Sequence, residues 1–291
     1  MSGVTRRALI VGAAGVGTAV LIARDMAQDG GDPALGDALV GRRVDEVPVG
    51  EPRDGAWDHE GQTLLALAPQ QIATPKLAEQ TVADVRVAAL HDGTTLGLRL
   101  SWEQRTPSEL SGVARFNDAV AVMLPAAGPA TPAITMGDAK APAHIMQWRA
   151  SWQRDVDLQA SQGVEAQFPN VIRDLDPDDV LPPEVAVLWS PARAVGNAMA
   201  APSRTTPVEE LVAEGFGSTT SLAEQTATGR GVHEDGRWWV TIALPLARHS
   251  GLGALEPGGT WPLAVAVWAG DGDNRGGRKH YSPFAGMQLE A

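Results

Sequence analysis

Two segments of the chain contain residue types that can hold a metal or a cofactor. The first, residues 135–148, includes Met136 beside a glycine and an aspartate. The second, residues 267–284, passes through a turn rich in glycine and aspartate and then reaches Lys279 and His280. Because the chain has no cysteine, any redox cofactor must be held by histidine, methionine, lysine, tyrosine or carboxylate side chains. Between them, the two segments contain methionine, lysine and histidine as well as tyrosine and aspartate.

The composition excludes several classes of protein. Without cysteine there can be no disulfide, no thiolate-bound iron–sulfur cluster, no cysteine-ligated zinc and no haem attached through C-x-x-C-H. The chain has 23 Lys and Arg against 35 Asp and Glu, a net charge of −12. This balance argues against nucleic-acid binding, which needs basic groups to neutralise phosphates.

The common catalytic motifs are absent from the sequence. None of the 6 histidines stands in the H-x-H or H-x-x-x-H spacing typical of metal pairs. There is no G-x-S-x-G nucleophile motif. A carboxylate pair for glycoside hydrolysis stays open, since the 35 acidic residues could supply one, but no spacing singles it out.

Strand-like runs separated by turn signals dominate the chain from Trp57 onward. The run at 119–124 is apolar throughout and ends at a proline, which is typical of a buried strand. A strict alternation that predicts a half-buried strand is formed by Leu96, Leu98, Leu100 and Trp102. Repeated strands without alternating helices predict an all-β fold, an antiparallel β-sandwich of immunoglobulin-like or DOMON-like type with long loops.

Helical periodicity is scarce. Short helices are expected at 208–213 and within 142–152. Residues 153–179 contain several acids and two prolines, which predicts a long loop over the sandwich.

The N-terminal residues predict export. Residues 1–25 contain two adjacent arginines followed by an uncharged apolar run at 8–23, as in a twin-arginine-like signal or a membrane anchor. Cleavage and retention both stay open, and either places the remainder outside the cytoplasm, in the periplasm or on the outer face of the cytoplasmic membrane. Residues 26–54 are predicted to be a linker, and 55–291 the folded domain.

From Val85 onward, the order of sequence blocks resembles one family. It is that of the haem b-binding gamma subunit of ethylbenzene dehydrogenase, with the third subunits of dimethylsulfide dehydrogenase, selenate reductase and chlorate reductase. The blocks that carry the resemblance are Val87–Gly93 with Leu98–Trp102, Arg115–Val122, Met136–Asp138 with Trp148, Glu214–Ser218, Gly236–Val240, and Gly277–Lys279 with Ser282.

The resemblance implies a haem b held by one methionine and one lysine. On this sequence the two ligands are Met136 and Lys279. A thioether favours ferrous iron and raises the potential, and a lysine ligates only as the neutral amine. His280 is an alternative second ligand, and because neighbouring strand residues face opposite ways, only one of Lys279 and His280 can face the haem.

Four further residues are candidates for the same site. Trp148 and Trp268 are each either a core residue or a wall of the haem pocket. Arg115 and Arg278 are either solvated side chains or partners of the haem propionates, to which guanidinium groups can donate two hydrogen bonds.

The resemblance implies an electron-transfer subunit rather than a catalytic one. Its implied partners are a molybdopterin catalytic subunit, an iron–sulfur subunit and a quinone or soluble cytochrome carrier, with membrane contact through the N-terminal segment. The alternative is a non-haem β-sandwich that binds a carbohydrate or a small apolar ligand.

Overall fold

The computed structural model describes residues 36–291, apart from 111, 160–167, 169, 171, 173–179, 202 and 250. The predicted signal or anchor at 1–25 lies outside the described residues. In the part of the chain that is described, no helix has the length and apolar character needed to cross a membrane.

Fourteen strands carry the fold in the described residues. They are β1 (Gly36–Arg43), β2 (Thr63–Ala66), β3 (Ala68–Pro69), β4 (Asp84–His91), β5 (Thr95–Glu103), β6 (Ala119–Pro125), β7 (Ala143–Arg149), β8 (Val208–Ala213), β9 (Thr220–Ser221), β10 (Thr228–Glu234), β11 (Arg237–Pro245), β12 (Thr260–Trp268), β13 (His280–Tyr281) and β14 (Ala285–Leu289). The α-helices among the described residues are α1 (Ala150–Leu158), α2 (Pro183–Ala186) and α3 (Pro191–Ala194), and 3-10 turns lie at Gly55–Trp57, Val187–Trp189, Ala198–Ala200 and Gly270–Gly272.

The strands form two layers that share one long strand. One layer runs β10-β11-β5-β4-β1-β14, and the other runs β12-β6-β7-β8-β9 with β13 and β3 beside β12. Strand β12 pairs with β14 through its first half and with β6 through its second, so it passes from one layer to the other. The pairings are antiparallel except that β1 is parallel to β4 and to β14. The predicted all-β sandwich is confirmed.

The core lies between the two layers. Side chains of β4, β5 and β11 meet those of β6, β7 and β12 in a single buried cluster. At its centre Trp148 lies 6.4 Å from Trp102 and 4.9 Å from Trp238, measured between ring centroids. Aromatic pairs at these separations add stabilisation beyond the area that they bury.

Strand β5 is buried on both faces rather than on one. The predicted alternation holds, since Leu96, Leu98 and Leu100 all point into the core. The opposite face is covered as well, because Val47 and Trp57 lie against Gly97, where a Cβ would come within 2.3 Å and 3.0 Å of their side chains.

The predicted linker is structured from Gly36 onward. Strand β1 lies between β4 and β14, and Val47 and Trp57 are buried. The glycine and proline content of this stretch reflects turns between short elements rather than an absence of structure, so the folded domain begins before the expected boundary at residue 55.

One predicted helix is a strand in the structure, and the other is helical only from Ala150 onward. Residues 208–213 form β8, which pairs with β7, and the segment 142–152 is strand β7 running into α1. The predicted loop at 153–179 is helical as far as Leu158. The pattern at 208–213 does not indicate a strand, because Glu209 and Glu210 are both buried in β8. The partners of these two acids lie far away along the chain.

Candidate functional site

A cavity of about 670 Å³ lies on the outer face of the second layer. Strands β6, β7 and β8 turn their odd-numbered residues toward it and their even-numbered residues toward the core, as the period of two requires. The floor is formed by Ala121, Met123, Ile145, Gln147, Leu211, Ala264 and Ala266. The volume is that of a site for a cofactor or small ligand.

The floor of the cavity is apolar at its centre. Ala121 lies opposite Ala266, and Met123 lies opposite Ala264, in the antiparallel register of β6 and β12. Three of these four residues are alanines, whose short side chains leave room above the sheet.

A tight turn carries Met136 to the cavity. Met136 has φ +71° and Gly137 has φ +77°, a backbone region that costs a residue with a side chain free energy. A Cβ on Gly137 would lie 2.7 Å from the Ala143 nitrogen and 2.9 Å from the Ala141 oxygen. The Asp138 carboxylate closes the turn by accepting from the Ala141 N–H at 3.0 Å. Glycine is therefore required beside Met136.

Lys279 lines the cavity from the segment that leads into β13. The other lysines of the sequence, Lys76 and Lys140, do not line it. Desolvation lowers the pKa of Lys279 to about 8, and its Nζ lies 5.4 Å from the centre of the Trp268 ring. The Lys279 carbonyl accepts from the Gln70 N–H at 2.9 Å, which fixes the backbone. The side chain is thus favourably placed to become a neutral amine.

His280 points to the opposite side of the strand. It is fully buried, and its Nε2 accepts from the Thr81 N–H at 2.9 Å. Burial lowers its pKa to about 4, so the ring stays neutral. Of the two neighbours, Lys279 faces the cavity and His280 does not.

Two other predicted site residues lie away from the cavity. Trp148 belongs to β7 but is even-numbered, so it lies in the tryptophan cluster of the core, where its Nε1 donates to Gln153 at 3.3 Å. Arg278 lies in a turn whose backbone pairs it with Arg275. Neither Trp148 nor Arg278 is among the described residues that line the cavity.

Several cavity residues were not anticipated from the sequence. Met123 and Met199 also line the cavity, and Arg149 forms an ion pair with the buried Glu209 at its edge. The place of Met123 could have been predicted from the sequence, because side chains along β6 alternate between the core and the opposite face. The strand pairing that brings Arg149 beside Glu209 depends on residues 60 positions apart, which no local pattern records.

The donor atoms of the cavity suit one kind of cofactor. No histidine lines it in the described chain, so its soft or nitrogen ligands are Lys279 and the thioethers of Met123, Met136 and Met199. No group of three or more His, Asp or Glu side chains among the described residues could hold a bare metal ion. An amine and a thioether above an apolar floor fit an iron porphyrin, which brings its own equatorial ligands.

Comparisons with known proteins place the chain in one family. A protein of Haloferax mediterranei named as a respiratory nitrate reductase heme subunit is 24% identical over 263 residues, covering 86% of this chain and 76% of that protein. Two solved structures are much more distant. A family 9 carbohydrate-binding module of Caldicellulosiruptor kristjanssonii has a TM-score of 0.40 at 8% identity, covering 88% of this chain and 96% of the module. A carbohydrate-binding protein of Bacteroides uniformis has a TM-score of 0.41 at 11% identity, covering 87% and 99%.

The family model gives the clearest result. The model described as ethylbenzene dehydrogenase matches residues 54–280. The match begins well before Val85, where the resemblance read from the sequence starts, and it includes both Met136 and Lys279. The chain therefore belongs to the ethylbenzene dehydrogenase family.

Proposed function

We propose that this chain is the haem-carrying electron-transfer subunit of a molybdenum oxidoreductase complex. One observation carries the proposal, namely that Lys279, alone among the lysines of the sequence, lines an apolar cavity together with Met136. The family and the name of the Haloferax protein support it.

The residues of this chain would bind and insulate a haem b. Lys279 and Met136 are the residues that would hold the haem iron, and with both ligands supplied by the protein the bound group would supply electron transfer rather than oxygen binding. Desolvation of Lys279 makes its neutral form accessible near neutral pH, because its pKa falls to about 8. The apolar residues that line the cavity would shield the porphyrin from water.

The proposal includes partners and a location. With no cysteine, the chain holds no iron–sulfur cluster of its own, so electrons would come from or go to a separate iron–sulfur subunit beside a molybdopterin catalytic subunit. The other partner in electron transfer would be a quinone or a soluble cytochrome. The basic and apolar N-terminal sequence supports a place outside the cytoplasm, with or without a membrane anchor.

Titration of the purified full chain with ferric haem tests the proposal. We expect a single equivalent to bind and to give the sharp absorption bands of a six-coordinate low-spin haem, because two protein ligands are available. Protein that shows no haem absorption bands once unbound haem has been removed would overturn the proposal. Trp fluorescence that then responds to glucose would favour the carbohydrate-binding alternative.

A further inference from the structure

A second recess adjoins the cavity. Its volume is about 320 Å³. It shares with the cavity the four residues Gln147, Arg149, Trp268 and Gly276. The two spaces are therefore adjacent, with these four residues common to their walls.

The recess is basic where the cavity floor is apolar. Its lining includes Arg115, Arg149 and Arg275, and no carboxylate among the described residues. Arg149 is neutralised by Glu209. Neither Arg115 nor Arg275 lies within ion-pair distance of an acid in the described parts of the chain, so two positive charges remain without a partner.

The fold holds Arg275 in place without neutralising it. Its guanidinium carbon lies 4.2 Å from the centre of the Phe116 ring, and its Nη1 donates to the Asp273 carbonyl at 2.9 Å. The buried carboxylate nearest in sequence to Arg115, that of Asp118, accepts from the Gly270 N–H and from Trp238 Nε1 instead. The remaining guanidinium donors of Arg275 are available to a ligand.

We propose that this recess receives the two propionate carboxylates of the porphyrin, with Arg115 and Arg275 as their partners. The inference rests on the proposed function and adds to it the direction in which the cofactor enters. A porphyrin of this type is apolar except for two carboxylates at one edge, and the recess places two arginines that have no acidic partner in the described chain beside a cavity with a largely apolar floor. Guanidinium groups are the preferred partners of carboxylates.

The proposal also fixes which edge of the cofactor faces solvent. Arg115 and Arg275 are exposed side chains, so the carboxylate edge would lie at the surface and the opposite edge inside. Arg278, which the sequence suggested as a propionate partner, lines neither space. It provides a matched control three residues from Arg275.

A thermodynamic cycle with two porphyrins tests this inference. Ferric haem and its dimethyl ester, in which both carboxylates are methylated, are bound to the full chain and to Arg115→Gln/Arg275→Gln. We expect the wild type to bind haem at least tenfold more tightly than the ester, and the double variant to bind both about equally. Arg278→Gln should keep the wild-type ratio.

The outcomes separate the inference from the proposed function. Binding of both porphyrins by the wild type with no preference for haem would overturn only the inference. The same holds if the double variant keeps the wild-type ratio. Binding of neither porphyrin by the folded wild type would overturn the proposed function as well. If the double variant does not fold, the single variants Arg115→Gln and Arg275→Gln, each at an exposed position, should each reduce the ratio.

Discussion

Lys279 and His280 are neighbours whose side chains part at the start of β13. The sequence predicts that only one can face a shared site, since strand residues alternate. Which one does so is decided by Thr81, whose N–H donates to His280 Nε2 from almost 200 positions away. This choice could not be read from the sequence alone, because a hydrogen bond between distant segments leaves no local pattern.

Glu210 makes the stability of the fold dependent on pH. Its buried carboxylate accepts from His144 Nε2 at 3.2 Å and from the Ala227 N–H at 2.8 Å. Burial alone would raise its pKa, but these hydrogen bonds outweigh burial and lower the pKa from 4.5 to about 2. A carboxyl group with a lowered pKa stabilises the fold above its unfolded pKa, and that stabilisation disappears as the pH falls through the folded pKa.

We therefore expect the free energy of unfolding to fall by about 3 kcal/mol between pH 5 and pH 2 through this group. Urea denaturation at a series of pH values measures the change. Glu210→Gln should be less stable than the wild type at pH 7 and should show a flatter pH dependence. The exposed control Glu46→Gln should keep the wild-type slope, and an unchanged slope in Glu210→Gln would contradict the assignment.

Strands β6, β7 and β8 separate the core from the cavity. The apolar run of β6 predicts a buried strand, which is confirmed, but its burial on both faces needs the structure to explain it. The odd-numbered face is covered by the loops around the cavity, including the turn at Met136, whose carbonyl accepts from the Gly215 N–H at 3.0 Å. The position of such loops depends on contacts between distant residues, so the cavity itself was not predictable from strand patterns.

The turn beside Met136 depends on Gly137, and Gly137→Ala tests that dependence. A Cβ there would combine a positive φ with close contacts to backbone atoms, so we expect a loss of about 1–3 kcal/mol or more in the free energy of unfolding. Gly128 also has a positive φ but an open environment, so Gly128→Ala should cost only about 1 kcal/mol. Chemical denaturation compares the two, and equal losses would mean that the contacts around Gly137 relax without cost.

The sequence predicts the β-sandwich as a whole, but it does not predict the position of the cavity on the outer face of one layer. Turn signals and alternation identify some of the central strands, including β5 and β6, and the absence of cysteine restricts the ligands of any redox cofactor. The start of the domain at β1 was missed, because composition alone does not distinguish turns from a linker. The chain as a whole presents a core sealed between two layers and a separate cavity on one outer face, where an apolar floor, a methionine turn and one lysine meet.

The most direct test is the axial-ligand signature of ferric haem bound to the full chain, measured by near-infrared magnetic circular dichroism. Ligation by Met136 and Lys279 predicts a methionine–amine signature that is lost in Met136→Leu and in Lys279→Gln. It should persist in Met123→Leu, which alters another cavity methionine, and in folded His280→Gln. A signature that survives both of the first two changes, or that disappears only when His280 is replaced, would rule out this pair of ligands.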